Sequence, residues 1–170
     1  MSRFHKRIAM ELHALAKESQ AQGVAVQPNV CITEPWRAWI KGPPESVYED
    51  LVYEVSVNFP SNYPFKPPRI MFVSSMWHPN IGVNGHVCLD ILQREWSPAL
   101  TLFKVLQSIQ SLLTDADCSS PLNAEAAREW STATRHDSWD AYRGSVHSTH
   151  SKGQVPNIRF FDDVSALFSS

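Results

Sequence analysis

Apolar residues at Phe4, Ile8, Leu12 and Leu15 recur at the spacing that lines one face of an α-helix. Arg3, Lys6, Met10 and Lys17 fall on a second stripe, so residues 3–18 are expected to form an amphipathic helix with a basic edge. From Val24 onward the period changes to that of extended chain. Trp36 to Lys41, Leu51 to Phe59 and Arg69 to Val73 read as strands. In the middle one Tyr53, Val55, Val57 and Phe59 alternate with Glu54, Ser56 and Asn58, as on a half-buried antiparallel strand. Gly42-Pro43-Pro44 is a turn signal between the first two. A meander of three or four antiparallel strands follows.

Pro60, Pro64, Pro67 and Pro68 crowd around Tyr63 and Phe65. Each fixes φ and removes a backbone donor, which predicts a stiff, exposed loop. Tyr63-Pro64 is a candidate cis bond, although trans is the default. Ser75 to Ala99 shows no sustained period and is broken by Asn80, Gly82, Asn84 and Gly85. So long an irregular stretch inside a compact domain is usually functional. Thr101 is placed to cap a helix with Leu102, Val105, Leu106, Ile109, Leu112 and Leu113 on one face and Lys104, Gln107, Ser108 and Ser111 on the other. A loop from Asp115 to Pro121 and helices over Ala124–Trp130 and Trp139–His147 complete one domain, residues 1–150. Residues 151–170 form an extension in which Phe161, Val164 and Phe168 keep helical spacing. A bare apolar stripe is costly in water, so this one either packs on the domain or docks elsewhere.

A chain of 170 residues, 43% of them hydrophobic, can bury a core without disulfides or a structural metal. Fifteen Lys plus Arg against seventeen Asp plus Glu leave a net charge of −2, without the basic excess of a phosphate-backbone binder, so nucleic acid is not an expected partner. No apolar run is long enough to span a membrane, and the polar, basic start lacks the pattern of a secretory leader. An intracellular protein, cytoplasmic or nuclear, is expected. Cys31, Cys88 and Cys118 are odd in number and widely spaced, which suits free thiols better than disulfides or zinc.

The irregular segment holds the densest chemistry. His78-Pro79-Asn80-Ile81-Gly82-Val83-Asn84-Gly85-His86-Val87-Cys88-Leu89-Asp90 sets one thiol in a loop of turn residues, with an amide, two imidazoles and a carboxylate nearby. An isolated cysteine is more often a small buried hydrophobe than a nucleophile, but this loop setting ranks Cys88 above Cys31, which lies beside an expected strand. A cysteine hydrolase would need a histidine base and a group to orient it. His86 and Asp90 could be cast so, yet nothing in the sequence suggests a substrate cleft. A zinc site from His78, His86 and Cys88 lacks ligand spacing. His78, ahead of Pro79 and Asn80, suits a structural hydrogen-bonding role better than that of a base.

His78-Pro79-Asn80, the eight-residue step from Asn80 to Cys88, Leu89-Asp90-Ile91-Leu92, Trp96-Ser97-Pro98-Ala99 and Tyr63-Pro64-Phe65 together resemble the ubiquitin-conjugating enzyme family, over residues 3–147. The resemblance implies the α+β UBC fold: an N-terminal helix, a four-stranded antiparallel meander, the active-site loop, a crossover helix and two C-terminal helices. It implies that Cys88 receives ubiquitin from the activating enzyme as a thioester. With a ligase, Cys88 then passes it to a substrate lysine or a ligase cysteine, and no cofactor takes part. Asn80 would either stabilise charge on the carbonyl oxygen or brace the loop. Asp90 would orient or deprotonate the incoming lysine, unless it only caps the loop. Ser120 aligns with a gate position that is Asp in many members, and His78 and Pro79 belong to the structural motif.

By the same resemblance Lys6, Arg7, Phe65, Pro98 and Ala99 match the ligase-docking surface, Arg3 and Lys6 the activating enzyme's site, and Lys104, Gln107, Ser108 and Ser111 the face that holds the donor ubiquitin. The implied partners are ubiquitin, the activating enzyme and RING-type ligases, with HECT-type ligases as a second option. One departure is Glu49-Asp50-Leu51, where members commonly carry Gly-Gly, which puts the turn before the third strand in doubt. The lack of an insertion between Leu92 and Trp96 favours ubiquitin over SUMO.

Overall fold

The computed structural model describes residues 2–18, 23–29, 31 and 34–150. In chain order they form α1 (Arg3–Glu18), β1 (Val24–Gln27), β2 (Trp36–Lys41), β3 (Val52–Asn58), β4 (Arg69–Phe72), a short 3-10 turn (Asp90–Leu92), α2 (Leu102–Leu112), α3 (Ala124–His136) and α4 (Asp140–His150). The strands make a four-stranded antiparallel sheet in the order β1-β2-β3-β4, the upper of the two counts the pattern allows.

Register follows from the alternation. Ala38 lies opposite Val55 and Ile40 opposite Tyr53, while Val57 and Val55 face Ile70 and Phe72, so one face of the sheet is apolar throughout. That face packs with Ile8 and Leu15 of α1 and with Leu102, Phe103, Val105, Leu106 and Ile109 of α2. Each such side chain contributes about 1.5–3 kcal/mol through burial, which clamps α2 across the sheet beside the irregular segment.

The doubtful turn closes without a Gly-Gly pair. Asp50 takes a left-handed conformation at φ 65°, which aspartate tolerates better than most residues, and the Gly42 amide donates to the Leu51 carbonyl at 2.8 Å. The last two helices are longer than their stripes. α3 runs on to His136 with Ala133 buried, and the Asn123 side chain caps its start by accepting from the Ala126 amide at 3.1 Å. α4 reaches His150, which is buried with its Nε2 at 3.0 Å from the Val52 carbonyl and its ring edge-on to Tyr53. Among the described residues no helix is long and apolar enough to cross a membrane. The stripe of Phe161, Val164 and Phe168 lies outside the described residues.

Candidate active site

The loop that carries Cys88 is fastened to the sheet at Gly85. The Phe72 amide donates to the Gly85 carbonyl at 2.9 Å, and Gly85 sits at φ 84°. A Cβ there would lie 2.2 Å from the Phe72 carbonyl oxygen, so only glycine allows this approach.

Below the loop His78 is fully buried. Its Nδ1 accepts from the Asn80 amide at 3.0 Å, so the proton resides on Nε2, which donates to the Leu112 carbonyl at 2.9 Å. Burial lowers its pKa to about 4, against a smaller upward pull from the Leu112 carbonyl. Both ring nitrogens are engaged, which leaves no lone pair for a metal or for a substrate proton.

Asn80, 2% exposed, joins three segments. Its Nδ2 donates to the Asp117 carbonyl at 2.6 Å and its Oδ1 accepts from the Asp117 amide at 2.8 Å. Its own carbonyl accepts from the Cys88 amide at 2.9 Å. The Pro79 carbonyl holds the far side of the 115–121 loop by accepting from the Leu122 and Asn123 amides at 2.8 and 3.1 Å. Asp117 turns its carboxylate to the Ser119 amide at 2.8 Å, and donors on Ser119 hold that carboxyl below its ordinary value.

The candidate reactive groups stand on this base. Cys88 is half-buried, while Asp90 and Ser120 are exposed. Asp90 opens the 3-10 turn, and its carbonyl accepts from the Gln93 and Glu95 amides at 2.9 and 3.0 Å. Among the described residues its carboxylate makes no hydrogen bond, and neither does the Ser120 hydroxyl. The capping role is thus filled by the Asp90 backbone. The His86 ring is exposed, with no hydrogen bond to Cys88 or Asp90, so the hydrolase dyad is not assembled. Cys31, between β1 and β2, is also exposed, and Cys118 is half-buried. Accessibility alone does not single out Cys88; the network beneath it does.

Leu89, next to Cys88, lines a groove of about 540 Å³ with Leu100, Lys104, Gln107, Ser108, Ser111, Leu112 and Asp115. The polar face of α2 therefore shares this groove with the residue that follows Cys88. Lys104 Nζ donates to Gln107 Oε1 at 3.2 Å, and the Ser108 hydroxyl donates to the Lys104 carbonyl at 3.0 Å.

On another side Phe65 is 66% exposed. Pro98 and Ala99 are exposed as well, as are Arg3 and Lys6. The Tyr63-Pro64 bond is cis, and Trp96 Nε1 donates to the Pro64 carbonyl at 2.8 Å, which ties the two loops together. Arg7 is unlike its neighbours on α1. Its guanidinium turns inward to Glu11 and to the Pro98 and Leu100 carbonyls.

Sequence reasoning missed Glu11, Asp117 and the Leu89–Leu100 wall of the groove. Glu11 did carry a signal, an acid on the stripe that holds Ile8 and Leu15. Asp117 carried none, because Asn80 binds its backbone and not its side chain.

The model of the family described as ubiquitin-conjugating enzyme matches residues 7–142. A solved E2 domain of a ubiquitin conjugating enzyme from Toxoplasma gondii is similar at 34% identity and TM-score 0.73, over 87% of this chain and 99% of that one. The sheet and the helices agree with these matches, and the chain belongs to the ubiquitin-conjugating enzyme family.

Proposed function

We propose that this chain carries ubiquitin as a thioester on Cys88 and transfers it to amines. The observation that carries the reading is the pairing of a half-buried thiol, held through its amide by Asn80, with an exposed carboxylate on Asp90 that no neighbour occupies.

In the first step the Cys88 thiolate attacks the thioester carbonyl on the activating enzyme, the C–S bond to that enzyme breaks, and its thiolate leaves. One thioester replaces another, so no resident base is needed, in keeping with a site that has no histidine on the thiol. In the second step a lysine amine attacks the Cys88 thioester and the Cys88 thiolate leaves. Lysine has an ordinary pKa of about 10.4 and must lose its proton first. Asp90 is the carboxylate free to orient the ammonium and take that proton. Ser120 brings a hydroxyl and no charge to the gate.

Both ends of the Asn80 amide are committed to Asp117, so its chief role here is to brace the loop; one Nδ2 hydrogen remains for the carbonyl oxygen. The groove from Leu89 along Lys104, Gln107, Ser108 and Ser111 suits the donor's extended C-terminal tail, which would restrict the thioester to reactive geometries. Phe65, Pro98, Ala99 and Lys6 form the ligase face, with RING-type ligases the first choice, and Arg3 with Lys6 receives the activating enzyme. The setting is the cytoplasm or nucleus.

The test is incubation with activating enzyme, ATP and ubiquitin. A reductant-sensitive adduct on non-reducing gels, absent in Cys88→Ala, is the expected result. Charging by another modifier with none by ubiquitin would overturn the assignment. Discharge by free cysteine but not by free lysine would overturn the role of Asp90.

A further inference from the structure

Glu11 is a carboxylate on the apolar stripe of α1, buried to 1% exposure. Its Oε1 accepts from Arg7 Nε at 2.7 Å and from the Tyr63 hydroxyl at 2.6 Å, and its Oε2 accepts from the Leu102 amide at 2.7 Å. Arg7 extends the network, donating through Nη1 to the Pro98 carbonyl and through Nη2 to the Leu100 carbonyl, with its guanidinium 5.2 Å from the Tyr63 ring centre. Burial, reinforced by the charge of Glu11, raises the Tyr63 pKa, so the hydroxyl stays a donor.

Glu11 and Arg7 together thus join α1, the proline-rich loop, the 97–101 loop and the first turn of α2. The Leu102 amide is one of the helix-start donors that has no partner within α2, and a negative group there is favoured by the helix dipole. An apolar residue could fill this space at a lower desolvation cost. It could not fix the direction of the Tyr63 hydroxyl or, through Arg7, of the Pro98 carbonyl. Those two atoms belong to the residues that lead into Phe65 and Ala99.

We propose that Glu11, acting with Arg7, is a positioning residue for ligase docking: it holds Phe65 and the Pro98-Ala99 edge in one fixed relation before the ligase arrives. The inference rests on the ligase-face reading above. Arg7 then serves that face from inside rather than by contact. Preorganisation raises affinity because fewer groups have to be ordered on binding.

The probe is a RING domain chosen for its stimulation of lysine discharge from the charged enzyme, titrated against wild type, Glu11→Gln, Tyr63→Phe and Phe65→Ala. Glutamine keeps the shape but puts donor hydrogens where an acceptor is needed. The expected result for Glu11→Gln is about a tenfold rise in the RING concentration at half-maximal rate, with the rate at saturating RING retained. Tyr63→Phe, which loses one donor of the network, should show a smaller rise in the same sense. Amide resonances of Phe65 and Ala99 should shift in Glu11→Gln before any RING is added.

If Phe65→Ala weakens binding and Glu11→Gln does not, the positioning role fails while the docking face stands. An ineffective Phe65→Ala would instead remove the docking face itself. A fall in the saturated rate without a change in half-saturation would also overturn the proposal. Should Glu11→Gln not fold, Tyr63→Phe decides, and an unchanged half-saturation there would overturn it.

Discussion

The active-site loop has two layers that differ in almost every physical respect. In the lower one His78, Asn80 and Gly85 are buried and tied to α2, to the 115–121 loop and to β4. In the upper one Asp90 and Ser120 are exposed, and their side chains have no hydrogen bond among the described residues. On the proposed function the difference separates holding from reacting: a carrier would present its thioester in a fixed place, yet leave the groups that meet an unknown amine free to bind it.

Breaking the lower layer should have the largest effects. Gly85→Ala forces a Cβ against the Phe72 carbonyl at a positive φ, and a loss of about 3 kcal/mol or more in denaturant unfolding is expected. His78→Ala leaves the Asn80 amide and the Leu112 carbonyl without their partner, with an expected cost of about 2–4 kcal/mol in the same assay.

The lower layer should also show in the pH dependence of stability. His78 has a folded pKa of about 4 against an ordinary 6.5. The unfolded chain therefore binds the proton first as pH falls, and stability should decline between those values, by up to about 3 kcal/mol, and level off below. Urea midpoints across that window, compared with His78→Gln, check the sign; equal slopes in both proteins would remove His78 as the source.

The upper layer should respond in the opposite way, with chemistry changing and stability not. Asp90→Asn is expected to slow discharge to free lysine by about 10–100-fold in single turnover, leave discharge to free cysteine unaltered, and move stability by less than about 0.5 kcal/mol. Ser120→Asp adds a charge at the gate, and a rise of about two- to fivefold in lysine discharge is the smallest effect expected. A matching loss of stability in either variant would erase the distinction between the layers.

Much of this was legible in the chain because apolar periodicity reports burial. It located α1, α2 and three of the four strands, β2 to β4, and it left 75–99 as the segment to explain. It reports nothing where burial is slight. The second half of α3 is Ser131, Thr132, Thr134 and Arg135 around a lone buried Ala133, too weak a stripe to extend the helix. Asp50 escaped because a left-handed residue other than glycine leaves little trace in sequence. The motif residues located Cys88 and its neighbours, but the bracing of Asn80 depends on contacts across 37 residues to Asp117, which no local pattern encodes. Arg7 likewise sits on the basic edge in sequence and turns inward in the fold, toward carbonyls more than 90 residues away.

The most direct measurement is peptide-level mass spectrometry of the chain after charging with activating enzyme, ATP and ubiquitin. The expected product is a single reductant-labile adduct on Cys88, replaced in Cys88→Ser by an oxyester that survives reductant. An adduct on Cys31 or Cys118, or one that persists in Cys88→Ala, would contradict the account.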